Sequence, residues 1–106
     1  MATTFDDREN AFEARFAHDA ELRFKAEARR NKLLGLWAAG VLGRAGEDAD
    51  AYARDVIRAD FQEAGEEDVF RKLRADLDGR ADDAAIRAKM RELLEEARRQ
   101  VMQEAR

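Results

Sequence analysis

The sequence predicts an all-α fold: a four-helix bundle preceded by an amphipathic N-terminal helical arm, either docked on the bundle or mobile. Three observations predict it. Proline is absent from the 106 residues, and Ala, Glu, Arg, Leu and Asp dominate, a mixture that favours helix and disfavours sheet. Apolar residues recur at steps of three and four, and no period-two alternation is long enough for a strand. Glycines stand where those patterns stop, as helix ends require. The length suits one domain with one modest core, divided into an arm at 1–19 and a bundle body at 20–106.

The arm carries the stretch FDDRENAFEARF, residues 5–16. At about 100° per residue, Phe12 and Phe16 fall within roughly 20° of Phe5, while Phe24 drifts about 80° beyond Phe16. One narrow seam cannot hold all four rings. A leading helical segment near 4–17 is therefore set apart from a first bundle helix at about 20–43; a kink, a hinge or two faces of one rod would each satisfy the pattern. Thr4 with Asp7 makes a variant capping box, and Asp6 and Asp7 suit the helix dipole.

Residues 33–43, LLGLWAAGVLG, are apolar nearly all round and are expected at the bundle centre. Gly35, Ala38, Ala39, Gly40 and Gly43 keep this helix slim, and Trp37 is the largest expected core anchor. Gly43 and Gly46 bracket the next turn. The second helix follows Ala49, Tyr52, Ala53, Val56, Ile57, Phe61 and Ala64. The third is shorter, with Val69, Phe70, Leu73 and Leu77. The fourth runs through Ile86, Met90, Leu93, Leu94, Ala97 and Val101, with Asp82 or Asp83 as N-cap. Gly43, Gly65 and Gly79 are the expected C′ residues.

Charge bounds the function. The net charge of -4 argues against nucleic-acid binding through overall positive charge. It is unevenly spread: -3 over residues 1–19, +4 over 20–44, -6 over 45–79 and +1 over 80–106. The basic and acidic blocks are expected to face each other. Without cysteine there is no disulfide, thiolate metal site or thiol nucleophile. The acidic start is not a secretory signal, and the longest apolar run is too short to span or insert in a membrane.

Catalysis finds little footing, and the chain reads as no enzyme, with no cofactor and no metal. The hydroxyls are Thr3, Thr4 and Tyr52, and none forms a triad with the single histidine, His18. His18 lies opposite the phenylalanine stripe and reads as solvated; one imidazole is no metal site, although it titrates in a range useful to binding. The carboxylates Asp48, Asp50, Glu63, Glu66, Glu67 and Asp68 match no calcium-loop spacing. GVLGRAG (40–46) lacks the lysine-hydroxyl ending of a phosphate loop. Arg29, Arg30 and Lys32 are candidates for a weak anion or nucleotide contact, set against plain pairing with the acidic middle block.

The phenylalanine stripe either docks on the bundle or enters a partner's groove. Fixing a backbone costs about 1–2 kcal/mol per residue, and each buried phenylalanine returns about 1.5–3 kcal/mol. A partner must supply further contacts, so an arm that orders on binding is physically reasonable.

FDDRENAFEARFAHDAELRFKAEARRNKLLGLWAA, residues 5–39, resembles the start of the zeta subunit of alphaproteobacterial F1FO-ATP synthase, a natural inhibitor of ATP hydrolysis. YARDVIRADFQEAGEEDVFRKLRADL (52–77) is similar to the middle of that family, and IRAKMRELLEEA (86–97) to its last helix. The resemblance implies a four-helix body and an inhibitory N-terminal segment. That segment would enter an α/β catalytic interface of F1, near the γ subunit, and block rotation in the hydrolysis direction. It implies a cytoplasmic protein, bound to F1 on the cytoplasmic side of the inner membrane. On this chain the matching arm is Thr4 to about Asp19. Phe5, Phe12 and Phe16 become the apolar anchors; Arg8, Glu9, Glu13 and Arg15 polar contacts; Thr4, Asp6 and Asp7 the helix start. Arg15 departs from the lysine expected there, which keeps charge but alters geometry. The competing readings are a helical adaptor with another partner and a small-ligand sensor built on Arg29, Arg30 and Lys32.

Overall fold

A computed structural model describes the backbone of residues 4–59 and 66–104 and the side chains of residues 20–59 and 66–104. It contains four helices: α1 Thr4–Val41, α2 Gly46–Ala59, α3 Glu67–Asp76 and α4 Asp83–Glu104. They close as a ring, in which α1 packs on α2 and α4, and α3 on α2 and α4. Arg29 of α1 reaches Gln100 and Glu104, while Trp37 stands beside Lys89, so α4 runs antiparallel to α1.

The core lies inside the ring. Leu34, Val56, Val69, Leu73, Leu77 and Ile86 are fully buried, joined by Tyr52, Phe70 and Met90. These are the apolar stripes read from the spacing, brought together by short connections. α1 is assigned as one helix across residues 17–20, where the sequence reading divides arm from body. The arm's side chains, residues 4–19, lie outside the described residues, as do Phe61, Ala64 and Gly65.

Two expectations for 33–43 change. The segment is buried on one face only: Leu34, Gly35, Ala38 and Ala39 are inside, whereas Gly40 and Gly43 are exposed. In a ring of four helices each member has two neighbours and one side facing water. Trp37 is correspondingly half-buried at the edge of the core, over which it lays its ring, rather than its central anchor. The slimness matters at Gly35. A Cβ there would stand 2.6 Å from the Ala53 Cα, so α1 and α2 meet backbone to backbone at this point. At Gly40 an added Cβ meets nothing within 4 Å.

Helix ends follow local chemistry. Gly43 takes φ +78°, and the Arg44 and Gly43 amides donate to Ala39 O and Gly40 O at 2.8 and 3.1 Å. That pair of bonds is the Schellman arrangement, in which a residue without Cβ enters the left-handed region at little cost. Gly79 has the same φ after α3. Of the two aspartates at the start of α4, Asp82 is the cap: its Oδ1 accepts from the Ala85 amide at 2.8 Å.

Candidate functional site

The arm residues Thr4, Phe5, Asp6, Asp7, Arg8, Glu9, Phe12, Glu13, Arg15 and Phe16 fall within the bounds of α1, but their side chains lie outside the described residues, as does His18. The body residue of the same sequence argument, Phe24, is described. It is 64% exposed.

Arg29, Arg30 and Lys32 do not converge. Arg29 Nη1 donates to Gln100 at 2.8 Å and Nη2 to Glu104 at 2.9 Å, tying α1 to the last turn of α4. The hydrogen bond to Glu104 raises the pKa of Arg29 and lowers that of Glu104. Arg30 turns inward and is 3% exposed. Its Nε and Nη2 donate to Asn31 Oδ1 at 3.0 and 2.8 Å, and Nη1 to Glu66 at 3.0 Å. A guanidinium this deep needs its donors matched, and the fork on Asn31 supplies most of that. Lys32 is exposed. The expected facing of basic and acidic blocks is present in Arg30–Glu66, whereas Arg29 pairs with the last block instead.

A polar cluster invisible in the spacing joins α2 to α3. Tyr52 Oη donates to Asp76 Oδ2 at 2.8 Å, and Lys72 Nζ donates to the same oxygen at 2.9 Å. The Arg44 and Lys72 cations each sit 5.2 Å from the Tyr52 ring centroid. Burial, then the bond to Asp76, hold the Tyr52 hydroxyl far above its usual pKa. For Asp76 partial burial pushes upward, but bonds from Lys72 and Tyr52 and the charges of Lys72 and Arg44 outweigh it, leaving the carboxyl below its usual value. The hydroxyl serves α2–α3 attachment. On α3 and α4, Glu67 takes both Nη atoms of Arg87 at 2.8 and 3.1 Å, and the Arg87 guanidinium stacks 3.6 Å from the Phe70 ring centroid. No group of three or more metal-ligating side chains converges among the described residues. Among them, no helix is long and apolar enough to cross a membrane.

An open groove of about 250 Å³ lies between α1 and α4, lined by Leu22, Arg23, Ala26, Arg98, Val101 and Met102. Sequence reasoning missed it because Met102 follows the stripe residue Val101 and reads as one step off the buried face; it is 49% exposed.

The described residues define a small helical-bundle protein whose polar clusters tie helix to helix. The family is specific: the chain belongs to the ATPase inhibitor subunit zeta family, whose model matches residues 1–100, arm included. One similar solved structure, determined by solution NMR, is 57% identical, with a TM-score of 0.73 over 78% of this chain and 98% of that one. A comparison with curated proteins finds no match.

Proposed function

We propose that the chain inhibits ATP hydrolysis by F1FO-ATP synthase by inserting its arm, residues 4–19, at an α/β catalytic interface of F1 beside γ. Membership of the inhibitor family, by a match that begins at residue 1 and so takes in the arm, is the observation that carries this reading. Phe5, Phe12 and Phe16 are the anchors that F1 buries, Arg8, Glu9, Glu13 and Arg15 make polar contacts at their edges, and Thr4, Asp6 and Asp7 begin the helix. Insertion places a folded wedge where the interface must open and close, so rotation in the hydrolysis direction stalls while no bond is made or broken by the inhibitor. The body, held closed by its apolar ring, presents the arm. This places the protein on the cytoplasmic face of the inner membrane, with F1.

The test is ATP hydrolysis by F1 from an alphaproteobacterium with full-length protein or a version lacking residues 2–19. Inhibition by the first alone is expected. Equal inhibition by both would move the active surface to the bundle, and none by either would sink the inhibitor reading in favour of a helical adaptor.

A further inference from the structure

Among the described residues, the large apolar side chains that stand exposed are Phe24, at 64%, and Met102, at 49%. Both belong to one end of the bundle, the end from which α1 continues into residues 4–19. Met102 meets α1 across the groove of about 250 Å³, whose other apolar lining is Leu22, Ala26 and Val101. Leu22 and Ala26 each lie two positions from Phe24, about 200° around the helix. Phe24 and the groove therefore occupy opposite flanks of α1 where it leaves the body.

Phe24 lies within about 20° of Asn31 and Gly35 around α1. Those two are buried, Gly35 against Ala53 of α2. Phe24 continues the same covered seam, yet stands open. Aromatic and methionine side chains are favoured where proteins meet, and a flexible thioether adapts to the shape it finds. The arginines of the groove are not the attraction, because Arg98 donates to Glu95 at 3.2 Å and Arg23 is engaged as well. What the root of the arm offers is apolar contact.

Distance names the occupant. Asp19, where the arm ends, is five positions from Phe24, about 7.5 Å along the axis. A helix with its side chains is about 10–12 Å across, so a partner that holds the arm to its end comes within one helix width of Phe24. We propose that the root of the arm, with Phe24 on one flank and the Met102 groove on the other, is a second contact with F1, filled by apolar side chains of the subunits that hold residues 4–19. The inference rests on the inhibitor reading and extends its contact from the arm into the body.

The test is inhibition of ATP hydrolysis by F1, titrated with full-length wild type, Phe24→Glu, Phe24→Leu, Met102→Glu and Ala84→Glu. Ala84 is exposed near the start of α4, at the opposite end of the bundle, and controls for the added charge. Helical circular dichroism verifies the fold of each variant. Phe24→Glu and Met102→Glu are each expected to need about tenfold more protein for half-inhibition, with Phe24→Leu close to wild type and Ala84→Glu unchanged. Wild-type potency in both contact variants, or an equal loss in Ala84→Glu, would overturn the proposal and leave the inhibitor reading in place. Unchanged potency with loss of a self-association seen in sedimentation of the wild type would give the surface to a second copy instead. A wild type that fails to inhibit would remove the inhibitor reading, and this contact with it.

Discussion

Replacing Gly35 by alanine tests the closest approach in the fold. The added Cβ would lie 2.6 Å from Ala53 Cα, 3.0 Å from Ala53 Cβ and 3.4 Å from Ala53 O. Ordinary contact between carbon atoms is about 3.5–4.0 Å, so α1 and α2 must part by about 1 Å. Two of the three obstructing atoms are backbone, which cannot rotate aside. Overpacking of this kind costs about 1–3 kcal/mol, and a backbone obstacle belongs at the upper end. Alanine returns about 1 kcal/mol of helix propensity, leaving a net loss of about 2 kcal/mol. For a domain of this size that lowers Tm by about 8–10 °C. The assay is thermal and urea unfolding followed by circular dichroism. Gly40→Ala is the control on the same helix: it gains propensity with nothing in its way, and Tm should hold or rise by a few degrees. If Gly35→Ala is as stable as wild type, the backbone-to-backbone contact is wrong.

Tyr52→Phe keeps the ring between Arg44 and Lys72 and removes only the hydroxyl bonded to Asp76; a loss of about 1–2 kcal/mol is expected, with the Asp76 pKa rising by NMR titration. Because the folded-state pKa of Asp76 is depressed, its contribution is present above the unfolded carboxyl value of about 3.9 and is lost as pH falls through the folded value. Urea midpoints should therefore fall on acidification below about pH 4, with a shallower fall in Asp76→Asn. Arg30→Met strips both donors from the buried Asn31 Oδ1 and should cost about 1–3 kcal/mol, more than Glu66→Gln at a half-exposed partner; denaturant unfolding ranks the two. Gly43→Ala forces a side chain to φ +78° and should cost about 1–2 kcal/mol, read as a lower Tm.

Much of the fold was legible because it rests on spacing. Val56, Leu73 and Ile86 declare a buried face within their own helices, and the pair Asp82 and Asp83 declares a helix start, of which the structure selects Asp82 as the cap. Arg30 was not legible as a core residue. Pairing with the acidic middle block is expected, but the burial of Arg30 depends on a fork onto Asn31 and on one member of that block, Glu66, 36 positions away, neither of which charge balance names. Tyr52 showed its apolar stripe but not the Asp76 that anchors its hydroxyl. Trp37 misled through size: a large ring at a helix centre suggests the core, yet the ring of helices leaves it at an edge. For the candidate site the sequence offers the phenylalanine stripe of residues 5–16 as an expectation. It could not supply the groove, which exists only where α1 and the end of α4 lie side by side.

The antiparallel pairing of the first helix with the last has a consequence for how the chain is made. Arg29 and Glu104 are 75 positions apart, so this contact is among the most expensive in loop closure and slow to form. α1 emerges from the ribosome first, and α4 ends roughly 60 residues later, an interval of about 3–12 s at ordinary synthesis rates. During that time α2 and then α3 can shelter Leu34 and its neighbours, and Arg29 waits for its carboxylate. The helix that carries the arm is thus complete well before the body that is to present it has closed.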